Sequence, residues 1–192
     1  KVTIFDRKKS KFLKKNQTMV VGDITNYYAV KKAIKKNQYV FHFAGVSDLE
    51  ESNLNPLKAI KFNILGTTNI LEAIKNNRKT SRIIFASSIY ARSNQGGFYS
   101  TTKRTCESLI ENYQNKYKVN YTILRFGSLY GLRANYFNAI KKFVIQGMKN
   151  RIIKRDGDGM EIRNYINVKD AATICVEILK RKYVNKYFNI IG

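Results

Sequence analysis

Tyr99-Ser100-Thr101-Thr102-Lys103 sets a phenol and an ammonium four residues apart. On a helix, positions i and i+4 share a face, so the two groups would stand side by side. A neighbouring cation draws a phenol's pKa down from about 10 toward working pH. Such a tyrosine could take or give a proton while hydride moves to or from a carbon. Tyr and Lys are abundant in this chain, so the same spacing also arises as a plain surface pair on a helix. A second candidate lies just upstream. Ser87-Ser88 ends the apolar run Arg82 to Ala86 (RIIFA). A serine at the C-terminal end of a strand can hydrogen-bond a substrate hydroxyl, because ligands of open α/β sheets bind at that end. It can equally cap a turn. His42, the single histidine, sits in an apolar run beside Phe and Ala, which suits packing better than acid–base work.

The elements that must position these groups alternate in type. Short β-branched or aromatic runs are expected as strands at Lys1–Phe5, Thr18–Val21, Tyr39–Ala44, Arg82–Ala86 and Tyr121–Phe126. Apolar spacing of helical period predicts helices at Tyr28–Lys36, Leu57–Asn76, Tyr99–Tyr117 and Asn135–Lys149. Alternating strand and helix implies a parallel sheet with helices on both faces. Continuous apolar strand runs agree, since parallel strands are buried on both sides. After Asn150 the pattern changes. Asp156-Gly157-Asp158-Gly159 is a turn cluster, Ile162–Val168 is strand-like, Asp170–Lys180 is helical and Tyr187–Gly192 is a last strand. Two parts follow: 1–134, which carries the main sheet, and 135–192, a smaller segment leaning on it.

The formal net charge is +23. A nucleic acid, an anionic membrane or an anionic small substrate would all suit it. The lysines are spread along the chain, however, and the clusters at Lys8–Lys15 and Lys31–Lys36 fall on helix or loop surface, so solvated faces explain them. No run approaches the roughly 18 to 20 apolar residues of a membrane helix, and no leader pattern opens the chain. Cys106 and Cys175 have no metal-ligand spacing and read as helix core residues; two such cysteines suit a reducing cytoplasm. No metal site is expected.

Taken in order along the chain, several segments resemble the extended short-chain dehydrogenase/reductase family, and within it the NAD-dependent epimerases and dehydratases of nucleotide-activated sugars. Phe5-Asp6 resembles the end of the family's second strand, whose acid holds the adenosine ribose. Gly22-Asp23-Ile24 resembles its adenine-contacting segment, and His42-Phe43-Ala44-Gly45 the segment beside the cofactor pyrophosphate. Asn55-Pro56 with Asn63-Ile64-Leu65-Gly66-Thr67-Thr68-Asn69 resembles its "NP…NVxGTxN" helix. Leu124-Arg125-Phe126-Gly127-Ser128-Leu129-Tyr130-Gly131 resembles its "LRxxNxYG" segment. Asp156-Gly157 through Arg163-Asn164-Tyr165-Ile166-Asn167-Val168-Lys169-Asp170 resembles "DGxxxRDFIHVxD", in which the arginine faces the nucleotide-sugar diphosphate.

The resemblance implies a Rossmann-like doubly wound parallel sheet, with 1–134 as a partial dinucleotide-binding domain and 135–192 as a partial substrate-binding region interleaved with the last strands of the sheet. Tyr99 would be the acid/base, Lys103 its modulator and ribose ligand, and Ser88 the positioner of the substrate hydroxyl. Cofactor contacts would come from Asp6, Asp23, Ile24, Phe43, Ala44, Gly45, Asn63, Ser87, Tyr99, Lys103 and Phe126. Substrate contacts would come from Ser88, Ser128 and Arg163. NAD is the expected cofactor; Arg7, beside Asp6, could tolerate the 2′-phosphate of NADP. A cytoplasmic homodimer acting on a nucleotide sugar is implied, without membrane or nucleic acid.

The chain departs from that pattern in the family's first strand and Gly-x-x-Gly-x-x-Gly loop, which are not matched. The expectation is a sheet interrupted where that strand would run, and a chain that is a piece of a longer product or a decayed copy. Ser128 stands where asparagine is frequent, and Asn167 where histidine is usual. Two rivals share these residues: an NADP-dependent nucleotide-sugar reductase, and a catalytically dead Rossmann-fold protein binding RNA or another polyanion.

Overall fold

The computed structural model describes every residue except Asn94, Phe137 and Asp156. Asp156 of the expected turn cluster therefore lies outside the described residues. Two compact units are present: Lys1–Arg125 with Val184–Phe188, and Phe126–Tyr183 with Asn189–Gly192.

In the first unit, β1 (Val2–Asp6) and β2 (Gln17–Val21) pair in parallel, from Val2 opposite Gln17 to Asp6 opposite Val21. α1 (Tyr27–Ile34) follows, with the Asn26 side chain accepting from the Ala29 N–H as an N-cap. β3 (Tyr39–His42) pairs in parallel with β4 (Arg82–Ser88), and the larger sheet runs β3-β4-β5-β8, with β5 at Tyr121–Phe126 and β8 at Lys186–Ile190. Among the described residues, β1 pairs only with β2 and β3 only with β4. The interruption expected between KVTIFD and YVFHFA is thus seen as two separate parallel sheets.

The stretch between β3 and β4 departs from the single helix expected at 57–76. Asp48 caps an extra helix, α2 (Leu49–Leu54), by accepting from the Glu51 N–H at 2.8 Å. The residue before a proline avoids helical torsions. Asn55, at φ −131° and ψ 67°, accordingly divides α2 from α3 (Pro56–Ala59). A wider π-helical segment, Ile60–Leu65, then leads into α4 (Gly66–Lys75). π segments often mark functional sites, and this one carries Asn63.

α5 (Gly97–Tyr117) connects β4 to β5. It ends because Lys118 turns left-handed, φ 60°, while the Val119 N–H reaches back to the Tyr113 carbonyl. Ile83 and Phe85 of β4, Ile123 of β5, Leu71 and Ile74 of α4, and Cys106 and Ile110 of α5 are buried in one apolar cluster. Each such side chain contributes about 1.5–3 kcal/mol on leaving water. That cluster packs α5 against β4, the two elements that carry Tyr99 and Ser88.

In the second unit, β6 (Ser128–Tyr130) pairs in parallel with β7 (Tyr165–Asn167). β6 is too short to carry a period in the sequence, and β7 is shorter than the expected 162–168. α6 (Ala139–Asn150) starts at the Asn138 cap rather than at Asn135. α7 (Val168–Glu177) starts at the Asn167 cap, which places Asp170 inside its first turn.

Candidate active site

The site is built where β4 hands over to α5. Ser88 closes β4, and its hydroxyl oxygen accepts from the Tyr90 N–H at 3.2 Å, capping a 3-10 turn at Ile89–Arg92. That leaves the serine's own proton free to donate, and the hydroxyl is close enough to the Tyr99 phenol to pull its pKa down against burial. Turn cap and phenol neighbour are the same residue. α5 holds this turn in place. Ser100 donates to the Tyr90 carbonyl at 2.8 Å, and Arg104 donates to the carbonyls of Ala91 and Ser93, each at 3.0 Å. The first turn of α5 is tied to α2 by the Asn53 side chain, which accepts from the Phe98 N–H at 3.0 Å.

Tyr99, Lys103 and Ser88 are all buried, at 8%, 7% and 5% exposure. The Lys103 ammonium donates to the Ala86 carbonyl at 2.8 Å and lies 5.8 Å from the centre of the Tyr99 ring. Burial lowers the lysine pKa from 10.5 to about 8, against opposing pulls from Cys106 and Glu107. The spacing argument expected a lowered tyrosine pKa. Here burial raises it instead, with the Ser88 hydrogen bond pulling the other way. The reason is visible in the lysine: its ammonium is turned onto the Ala86 carbonyl rather than onto the phenol oxygen.

A cleft opens at the C-terminal ends of β1, β2 and β3. Asp6, Ile24, Phe43, Ala44 and Gly45 line it, with Arg7, whose guanidinium lies 4.7 Å from the Phe62 ring centre. Gly45 sits at φ +146°, and a Cβ there would meet Asn63 Oδ1 at 2.5 Å, so only glycine fits without strain. Asn63 is fully committed. Its oxygen accepts from the Val46 N–H at 2.7 Å, and its amide donates to the Val46 carbonyl and to Thr102 Oγ1. It thereby ties the loop after β3 to α5. Asp23 lies outside the lining. Its carboxylate accepts from the N–H and the hydroxyl of Thr25, both at 2.8 Å, and the backbone bond holds its pKa below the usual value.

His42 is 2% exposed. Its Nε2 lies 2.9 Å from Thr67 Oγ1, and Thr67 gives its own proton to the Asn63 carbonyl. Nε2 is therefore the donor and Nδ1 the unprotonated nitrogen, which has no partner. Burial, with Lys103 nearby, lowers its pKa to about 3. That is a packing histidine.

Ser87 is buried, and its hydroxyl donates to Glu107 at 2.6 Å. The second unit carries Phe126, buried at 8%; Ser128, whose N–H donates to the Asn164 carbonyl at 2.7 Å; and Arg163, exposed two residues before β7. Glu107 lies outside the matched motifs, and Arg125 lies inside the LRxxNxYG segment with no role implied for it there. Arg125 Nε and Nη2 donate to the two oxygens of Glu107 at 2.9 and 2.7 Å. The available signal was an acid four residues after Lys103 and a lone charge inside YTILRF.

Residues 1–190 match the model of the NAD dependent epimerase/dehydratase family. The chain belongs to that family. It is similar to dTDP-glucose 4,6-dehydratase of Mycobacterium tuberculosis, 26% identical over 186 residues, covering 90% of this chain and 56% of the relative. It is also similar to a trifunctional UDP-glucose 4,6-dehydratase/UDP-4-keto-6-deoxy-D-glucose 3,5-epimerase/UDP-4-keto-L-rhamnose-reductase of Arabidopsis thaliana, 26% identical over 185 residues, covering 88% of this chain and 27% of that protein. Among solved structures it resembles the UDP-glucose 4-epimerase of Thermotoga maritima with UDP-glucose. The TM-score is 0.89 at 22% identity, over 99% of this chain and 68% of the other. At that identity the likeness shows the fold, the Rossmann-like α/β sheet that the resemblance implied. The chain spans between 27% and 56% of the length of the two curated relatives named.

Proposed function

We propose that this chain is part of an NAD-linked epimerase or dehydratase of a nucleotide-activated sugar. The observation that carries the reading is the meeting of Ser88, Tyr99 and Lys103, all buried and at the C-terminal end of β4. The relatives named above act on UDP- and dTDP-sugars in their own right, which supports the substrate class.

The donor set fits the adenosine side of a dinucleotide. Asp6 is exposed at the end of β1, where a ribose diol can reach its carboxylate. Gly45 offers bare backbone beside the cleft. Asp6, Phe43, Ala44 and Gly45 would hold the group, and when bound it supplies the hydride acceptor and donor. Asn63 and Asp23 act on the cofactor only by shaping the loops that touch it. Ser88 would present a substrate hydroxyl to Tyr99, whose oxygen takes or returns the proton. Lys103, charged at neutral pH since its pKa of about 8 lies above it, favours the phenolate once the proton leaves.

The same reading extends to a homodimer. Leu54 and Leu57 are 73% and 83% exposed, and Leu65 and Phe98 are about half as open, at 44% and 46%. These lie on α2, α3, the π segment and α5, and they are the exposed apolar side chains that a second copy would cover. The experiment for the function is turnover of UDP-glucose, UDP-glucuronic acid and dTDP-glucose by the whole protein with NAD, compared with Tyr99→Phe. Turnover that survives in the folded variant rules the reading out.

A further inference from the structure

Glu107 is 2% exposed, yet nothing in the acid–base chemistry calls for it. An isolated buried carboxylate is expensive unless paired and hydrogen-bonded, and this one is paired on three sides. Ser87 donates to Oε1 at 2.6 Å, Arg125 Nε to Oε1 at 2.9 Å and Arg125 Nη2 to Oε2 at 2.7 Å; Arg92 Nε stands 3.7 Å from Oε2. The partners come from β4, β5 and the turn after β4, while Glu107 itself is on α5, one turn beyond Lys103.

The bond from Ser87 to Glu107 and the bond from Lys103 to the Ala86 carbonyl attach consecutive residues of β4 to consecutive turns of α5. Ser88, the next residue on β4, and Tyr99, one turn before Lys103, are the acid–base pair. Two bonds behind the site thus set the strand–helix register at its front. Arg125 balances the carboxylate with a planar fork that accepts no other geometry as well. The other titratable groups facing Lys103 are His42 on β3, Cys106 on α5 and Tyr99. His42 and Cys106 bond to Thr67 and Asn63 rather than to β4.

We infer that Glu107, clamped by Ser87 and Arg125, is a positioning residue that holds Lys103 and the Tyr99–Ser88 pair in register for the reaction. This rests on the functional reading given above, and it is testable apart from it.

The test compares the whole protein with Glu107→Asp, Glu107→Gln and the paired variant Glu107→Gln/Arg125→Gln, which removes both charges and keeps the shape of the glutamate. The first readout is competitive acetylation of Lys103 followed by mass spectrometry, which needs no turnover. The second is kcat against KM for the nucleotide sugar, per folded molecule. Loosening the strand end by one to two kcal/mol should raise Lys103 labelling about fivefold or more in the paired variant. It should lower kcat with KM unchanged, and Glu107→Asp should recover part of both. A paired variant with a changed melting temperature but unchanged Lys103 labelling and kcat would make the clamp purely structural and overturn the inference. If the parent protein turns over no nucleotide sugar, the functional reading fails and the labelling result alone decides the role of Glu107. If neither glutamine variant folds, Glu107→Asp carries the same two readouts with the same two outcomes.

Discussion

Two regions of this molecule are built to different standards. At the β4–α5 junction, Ser88, Tyr99 and Lys103 are each under a tenth exposed, and hydrogen bonds from Ser100, Lys103 and Arg104 tie the helix to the strand end and the turn after it. In the segment before β7, the apolar side chains themselves face water: Ile152 is 60% exposed, Met160 80% and Ile162 92%. The first is preorganised, so its geometry exists before any ligand arrives. The second leaves Arg163, the residue proposed to meet the nucleotide-sugar diphosphate, exposed to solvent, where ordering a long side chain costs conformational entropy. Acid–base chemistry should therefore depend steeply on single atoms in the first region, and substrate affinity only gradually on the second.

The sharpest separation should come from Tyr99→Phe. Loss of a positioned proton carrier costs about 100- to 10,000-fold in rate, with the fold intact, because the lost hydroxyl's partner Ser88 still caps its turn. Circular dichroism alongside the rate assay separates the two effects. Next is Glu107→Leu, which strands the Arg125 guanidinium, whose side chain is 13% exposed. Removing one partner of a buried pair costs about 3–5 kcal/mol, read as a fall in denaturant midpoint. Gly45→Ala follows. A Cβ 2.5 Å from Asn63 Oδ1 at a positive φ costs about 1–3 kcal/mol, and NAD binding by calorimetry should weaken with it.

His42 supplies a pH signature of the buried region. Its folded pKa, about 3, lies below the ordinary 6.5, so between those values the unfolded chain binds a proton that the folded chain refuses. Its contribution to stability is complete above pH 6.5 and is lost as pH falls toward 3, with a slope of at most about 1.4 kcal/mol per pH unit. Urea titrations across that window should flatten in His42→Gln; an unchanged slope would remove the histidine from the account. The smallest effect is expected on the open side. Arg163→Ala should leave stability within about 0.5 kcal/mol while raising KM for the nucleotide sugar and sparing kcat. A loss of kcat instead would mean that the open region is also preorganised.

What the sequence displayed follows the same division. RIIFA and YTILRF announce buried parallel strands because their apolar residues run consecutively, so both faces of the strand are apolar, and Tyr99 with Lys103 is visible because helix geometry alone pairs them. The helices between β3 and β4 were only half legible: Pro56 marks the break at Asn55, but nothing local marks the π segment that carries Asn63 and divides the expected 57–76 helix. The orientation of Lys103 was not legible at all, since its acceptor is a backbone carbonyl seventeen residues away. The Glu107–Arg125 pair joins α5 to β5 across eighteen residues, and no motif spacing encodes such a contact. Asp23 and Asn63 stand in recognisable segments, yet their side chains turn inward onto Thr25 and Val46.

The most direct measurement is the turnover of UDP- and dTDP-linked glucose by the whole protein with NAD, run beside folded Tyr99→Phe. The account predicts product from the parent and a loss of at least about 100-fold in the variant. Equal product from both would contradict an acid–base role for the Ser88–Tyr99–Lys103 site.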